Sequence, residues 1–271
     1  MALARVNSWR VFFDEEESGL KAAGERSRLM KYLNEAVLAT VSPDEFQKRP
    51  PYPWAHIDNS LTDEGFARLR ETLPGTEMFD KHVGAKRAYG QMSHDRYMLH
   101  YRAGLELPQP WREFIAELNG PEYQAFLRRM LGNRRYIPTF SWHYAWEGCS
   151  VSPHCDAARK RATHIFHFNS PDEWDQSWGG QTLILSSDKP IPTHSAPTFD
   201  ELTVAGGHGP IGNGSLLFQR TEHSWHGMKP LTCPPGKLRK IFSVTLNIPT
   251  AQVWWRRLRG KDPDGFRLRA A

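Results

Sequence analysis

The sequence predicts an α+β fold in which helices come first and a β-sandwich or barrel follows. Up to residue 132, apolar side chains recur at spacings of three and four. Beyond residue 135 they gather in short aromatic and β-branched runs separated by Gly, Pro, Ser and Asp. A chain of 271 residues, 39% of them hydrophobic, can bury a substantial core, and one large domain with appendages accounts for it best.

Taken in order, Leu20, Ala23, Leu29, Leu33, Ala36 and Val37 give an amphipathic helix over residues 19–39. Residues 43–53 form a proline-rich connector. Trp54 to Ile57 is a short strand, and a helix runs from Asp63 to Leu73 behind a capping box made by Ser60 and Asp63. The segment PWREFIAELNGPEYQAFLRRMLG reads as two helices: Asn119-Gly120 ends the first, Pro121 opens the second and Gly132 stops it. Candidate strands then follow at 136–146, 162–169, 181–185, 215–219 and 239–248, with turn-rich loops between them. Strands of this kind offer side chains at period two to a common interior, which is how a small barrel builds a site.

Composition excludes several classes. No run approaches eighteen consecutive apolar residues, so no transmembrane helix is expected. The acidic run Asp14–Glu17 follows the mildly basic start too closely for a signal or transit peptide, and a cytoplasmic protein is expected. Cys149, Cys155 and Cys233 lack the spacing of a disulfide framework or zinc ribbon. The net charge of +5 lies almost wholly in residues 251–271, where Arg256, Arg257, Arg259, Lys261, Arg267 and Arg269 face only Asp262 and Asp264. A basic tail of this kind is a solvated segment, and no nucleic-acid partner is expected.

The chemistry concentrates in SVSPHCDAARKRATHIFHFN. His154 and Asp156 are two apart, so on an extended segment an imidazole and a carboxylate share one face and can converge on a metal. A second copy, His56-Ile57-Asp58, stands at a strand-to-turn boundary with no partner histidine following in β context. It reads as ordinary turn chemistry. Some seventy residues beyond Asp156 come His223 and His226, three apart and therefore on opposite faces of an extended segment, so only one of them can join the first pair. Two histidines and a carboxylate on one face, with the other positions open, is the donor set of non-haem iron(II) oxygenases. The same set also suits zinc, although no HExxH-like general base accompanies it.

Residues 136–250 resemble the double-stranded β-helix core of the iron(II)- and 2-oxoglutarate-dependent oxygenases, closest to the prolyl-4-hydroxylase-like branch. The likeness rests on ordered features: His154-x-Asp156, the strand THIFHFN, Gly179-Gly180 before a strand, GSLLFQ, His226 ahead of Met228 and Pro230, and Arg239 opening the last strand. The resemblance implies a jelly-roll core with an N-terminal helical layer. Residues 1–50 would then be a helical extension, 51–135 the layer on the core, 136–250 the catalytic core and 251–271 the basic tail. It further implies that His154, Asp156 and His226 hold Fe(II), and that Arg239 pairs with the distal carboxylate of 2-oxoglutarate; Lys240 is the second choice for that role. Tyr144 and His167 stand where the branch places cosubstrate-contacting tyrosines. Ile241 departs from an Arg-x-Ser pattern whose hydroxyl would hold the same carboxylate.

The implied activity consumes O2 and 2-oxoglutarate, releases succinate and CO2, and hydroxylates a substrate at the metal, with no catalytic group beyond the metal ligands. A small, amino-acid-derived molecule is the expected substrate; a protein or peptide side chain is the alternative within the superfamily, and a non-catalytic binding barrel the alternative outside it. Residues 81–101 and 189–214 are long enough to form a lid.

Overall fold

The computed structural model describes residues 31–102 and 104–259. Two antiparallel sheets face each other. The larger has the order β1 (Trp54–Asp58), β9 (Gly214–Gln219), β6 (Lys160–His167), β11 (Arg239–Asn247), β4 (Ile137–Ala145), β3 (Arg96–His100), β2 (Asp80–His82). The smaller runs β5 (Val151–His154), β10 (His226–Met228), β7 (Thr182–Ser186), β8 (Thr203–His208). From β4 onward, successive strands alternate between the sheets except at the β7–β8 hairpin, which lies wholly in the smaller sheet; this is the winding of a double-stranded β-helix, as expected.

Six helices accompany the sheets among the described residues: α1 (Glu35–Thr40), α2 (Pro43–Lys48), α3 (Asp63–Glu71), α4 (Gln109–Asn119), α5 (Pro121–Leu131) and α6 (Ala251–Leu258). The pair α4 and α5 matches its sequence reading, and Gly132 turns the chain out of α5 at φ 103°. Other elements differ. Of the helix expected over 19–39, residues up to 30 lie outside the described residues. Residues 31–34 are not helical: Leu33 bridges to Leu61, and the Asn34 side chain caps α1. The proline-rich connector holds α2, because Ser42 caps it and Pro43 occupies the first turn, where a missing N–H costs nothing. Thr62, not Ser60, caps α3, accepting from the Gly65 N–H. The basic segment after residue 250 starts as the helix α6, with Val253 buried and Trp254 and Trp255 exposed. No helix among the described residues is long and apolar enough to cross a membrane.

Residues 80–100, expected within the helical layer, add β2 and β3 to the larger sheet. Also unforeseen were β5 and β10, of four and three residues, and β8, whose TVAGGH sequence lies inside the segment assigned to a loop.

The central strands β4, β6 and β11 have two faces of opposite character. On one, Trp142, Phe166 and Phe242 stand opposite one another in register. Trp111 and Phe114 of α4 pack on them with ring centroids 5.0–5.7 Å apart. The buried Trp111 indole also donates to the Leu69 carbonyl at 3.1 Å, tying α3 to α4. On the other face, His143, Ile241 and His167 share a register row directed between the sheets. Trp111→Ala removes the centre of the outer cluster and its hydrogen bond, and should cost roughly 3–5 kcal/mol of unfolding free energy. Denaturant titration checks this, and a loss under 1 kcal/mol would contradict the packing described.

Candidate metal centre

A cavity of about 450 Å³ opens between the sheets, and His154, Asp156, His226 and Arg239 all line it. His154 ends β5, His226 opens β10 and the two are register partners. Their rings lie 4.3 Å apart between centroids. One donor atom from each of His154, Asp156 and His226 lies within 4.8 Å of the other two. The Nδ1 of His154 is 2.9 Å from the Ser152 carbonyl, and that of His226 is 3.0 Å from the Ser224 carbonyl. A carbonyl only accepts, so both Nδ1 atoms carry the proton and both Nε2 atoms keep a free lone pair. Burial pushes both imidazoles below their ordinary pKa, so they stay neutral, as metal coordination would require.

Asp156 is held in a matching way. Burial alone would raise its carboxyl, but Lys160, His226 and His154 outweigh that and hold it well below the usual carboxylate range. Lys160 Nζ lies 3.1 Å from one oxygen, and the Thr163 hydroxyl donates to the other at 2.9 Å. Both come from β6, where the register skips from Ala162 to Lys160 opposite Leu246 and Asn247. This bulge carries Lys160 to the inner face beside Thr163.

Arg239 opens β11 on the inner face. It is buried; its guanidinium donates to the Gly180 carbonyl and, at 2.8 Å, to the Thr182 hydroxyl. Gly180 sits at φ 93°, and a Cβ there would come within 3.2 Å of the Arg239 side chain, so glycine is required on both counts. Burial lowers the guanidinium pKa to about 10. Thr182 lines the same cavity and sets a hydroxyl against the guanidinium from across the barrel, where Ile241 offers none. Lys240 points the other way, to Glu173 at 3.5 Å, and His223 is exposed on the loop before β10.

Two residues expected to contact the cosubstrate do not line the cavity. Tyr144 pairs in register with Lys240 on the outer face, rests against Phe79 and donates to the Pro74 carbonyl at 3.0 Å. Strand alternation removes it from the cavity, and it is His143, one residue earlier, that lines it, 2.8 Å from the Ser141 hydroxyl. His167 is buried with its ring stacked 4.7 Å from His208 and its Nδ1 facing the Gly214 carbonyl, and it does not line the cavity.

The copy His56-x-Asp58 gains the partner it was thought to lack: β8 brings His208 to it, and the three donor atoms also lie within 4.8 Å. Here Asp58 is 73% exposed and its carboxylate oxygen lies 2.8 Å from His56 Nε2. Geometry alone does not separate the two triads; burial and the enclosing cavity do.

Several cavity residues carried no sequence signal. His94 packs against His154, with centroids 4.8 Å apart and the rings tilted by 58°, and meets the Ser152 hydroxyl at 3.0 Å. Arg87 and Arg96 line the same space. The segments read as a lid do meet over it: the Tyr89 and His194 rings stack at 4.7 Å, and the Gln91 amide donates to the Ser195 carbonyl at 3.1 Å.

No protein-family model matches the chain, and no curated protein matches it by sequence. Solved structures do match its fold. A prolyl-4-hydroxylase from Pseudomonas putida has a TM-score of 0.54 at 13% identity, covering 79% of this chain and 98% of that one. A prolyl hydroxylase from Trichoplax adhaerens, in complex with a hypoxia-inducible-factor oxygen degradation domain peptide, has a TM-score of 0.55 at 15% identity, covering 79% and 90%. The non-haem α-ketoglutarate-dependent epimerase SnoN of nogalamycin biosynthesis has a TM-score of 0.55 at 12% identity, covering 87% and 94%. What this chain shares with them is the double-stranded β-helix fold.

The buried imidazoles set an acid limit. Burial, then Arg87 and Arg96, lowers His94 to about 2, and burial holds His143 well below its ordinary value. In the unfolded chain these groups take up protons below about pH 6.5. The metal-free protein should therefore lose stability as pH falls from 6.5, by up to about 1.4 kcal/mol per pH unit for each such histidine. Denaturation midpoints at pH 6.5, 5.5 and 4.5 measure the slope, and a flat profile would contradict it.

Proposed function

We propose that the protein is an iron(II)- and 2-oxoglutarate-dependent dioxygenase that hydroxylates an unactivated C–H bond of a small, amino-acid-derived molecule. The observation that carries this reading is the meeting of His154, Asp156 and His226 in one buried cavity with Arg239. The donor set fits ferrous iron: two neutral imidazoles with fixed tautomers and one ionised carboxylate, arranged to leave the remaining positions to cosubstrate and oxygen. A buried guanidinium bonded only to a carbonyl and a hydroxyl fits the far carboxylate of 2-oxoglutarate. Bound together, the metal and cosubstrate would supply the oxidising power, with succinate and CO2 as co-products.

The protein's own work is positional. Lys160 and Thr163 keep Asp156 ionised and oriented; the Ser152 and Ser224 carbonyls fix the histidine tautomers. Arg239, set by Gly180 and Thr182, would orient the cosubstrate. Ile165, Ile241 and Phe218 give the cavity an apolar wall that limits water, and the Phe218 ring lies 4.6 Å from that of His226.

A cavity of this volume beneath joined loops favours a small substrate over a protein side chain. The peptide alternative draws on the prolyl hydroxylases that share the fold.

Asp156→Ala and His226→Ala should abolish the visible absorption formed anaerobically with Fe(II) and 2-oxoglutarate, while His56→Ala in the exposed triad leaves it intact. Arg239→Gln should raise the 2-oxoglutarate concentration needed by about a hundredfold or more, since losing one partner of a buried charge pair costs roughly 3–5 kcal/mol. Unchanged absorption in the first two variants would refute the ligand assignment. Oxygen uptake without succinate, or no turnover over a broad metabolite panel, would favour a binding barrel.

A further inference from the structure

The cavity holds more positive charge than the proposed metal and cosubstrate account for. Lys160 is paired with Asp156, and Arg239 is assigned to 2-oxoglutarate. Arg159, which also lines the cavity, has an interaction of its own, and Arg87 and Arg96 remain. Among the described residues neither has a carboxylate within ion-pair distance. Arg96 comes from the inner face of β3, in the row of Met98, which is the register partner of His143. Its Nε is buried with no partner, and its other contacts are long: 3.4 Å to the His94 carbonyl and 3.5 Å to the Met98 sulfur. Arg87, half-buried on the loop before β3, contacts only the side-chain oxygen of Gln91, at 3.2–3.4 Å. The carboxylate of Asp95, which also lines the cavity, is engaged by Ser93 and the Gly84 N–H.

Two guanidiniums brought into one desolvated space without a counter-anion repel each other, and folding gains nothing from the arrangement. Their position gives it a use. Arg96 touches the backbone of His94, whose ring packs at a tilt against the proposed metal ligand His154. Burial lowers the Arg96 pKa to about 10, with Arg87 adding to the effect, and Arg87 in turn helps to depress His154 and His226. Both arginines line the same cavity as the metal-binding histidines, on residues distinct from Arg239. Arg87 also belongs to the loop whose Tyr89 and Gln91 meet the 187–198 loop, so an anion bound there would tie the closing loop to β3.

We propose that Arg87 and Arg96 form the substrate's anion subsite: the molecule oxidised here carries a carboxylate or phosphate that their paired guanidiniums hold next to the metal centre. This rests on the dioxygenase reading and narrows it to anionic substrates.

The test uses the full chain with Fe(II) and saturating 2-oxoglutarate under anaerobic conditions. It is titrated with matched pairs: N-acetyl amino acids against their amides, and glycerol 3-phosphate against glycerol. Perturbation of the visible absorption is read first, then succinate formation in air. The anionic member of at least one pair should act at a tenfold or lower concentration than its neutral mate, and the responding pair tells carboxylate from phosphate. Arg96→Met and Arg87→Gln should erase that preference while the Fe(II)–2-oxoglutarate absorption persists. Metal-free Arg96→Met should melt no lower than wild type, because the charge it removes has no partner in the apoprotein. It should also lose the thermal stabilisation that the preferred anion gives wild type. Equal response to both members of every pair, no response to any, or a preference that survives both substitutions would overturn the proposal. Absence of the visible absorption in wild type would instead sink the dioxygenase reading, and anion-dependent melting of the apoprotein would still decide the role of Arg96.

Discussion

The site depends on strand alternation made rigid from behind. Phe242, Trp142 and Phe166 stand in one row on the outer face of the larger sheet and are clamped by Trp111 and Phe114 of α4. A one-residue slip of β11 would put Phe242 between the sheets and turn Ile241 and Arg239 out toward the helices. The apolar packing of the helical layer thus fixes which side chains reach the cavity, though no residue of α4 lines it. The chemistry is aimed by an aromatic cluster on the far side of the sheet.

Within that frame, charge does what packing cannot. The cavity is lined by several cations and few anions, and each is desolvated. Lys160 compensates Asp156 within the chain, and the β6 bulge that turns it inward is the backbone device for doing so. Arg87, Arg96 and Arg239 are compensated by no carboxylate among the described residues. Buried charge without a partner is tolerated in proteins when a ligand completes the pair. On the proposed reading, the same sign of charge, an anion, would complete the site in both places.

The parts legible in the sequence were those with local signals. Cap and breaker residues located α4 and α5, and the H-x-D spacing found His154 and Asp156. Strand parity chose Arg239 over Lys240, and the placement of His226 over His223 followed from the resemblance. The same parity rule, applied to β4, would have corrected the reading of Tyr144. It shares its face with Trp142, a residue large and apolar enough to mark the helix-packed side, so the neighbouring His143 had to face the cavity. Arg87 and Arg96 were not legible, because β2 and β3 are short and polar and join the sheet through long-range pairing alone. The strand β8 was hidden by its glycines. Gly206 and Gly207 are needed there because a Cβ would strike Trp54 and the Thr182 carbonyl, so residues that read as loop are in fact demands of close packing.

The two His-x-Asp copies separate what a motif encodes from what a fold adds. Both place an imidazole and a carboxylate on or just beyond a strand, and in both a later strand delivers a second histidine within 4.8 Å. At His56 and Asp58 that strand is β8 and the carboxylate is open to water, so solvent screens its contact with His56. At His154 and Asp156 the strand is β10, the carboxylate is buried between Lys160 and Thr163, and both histidine tautomers are set by backbone carbonyls. The same residue spacing is solvated turn chemistry in one place and a poised ligand set in the other. The difference lies in the dielectric around the carboxylate and in the second contact each ligand makes, and the spacing of the motif records neither.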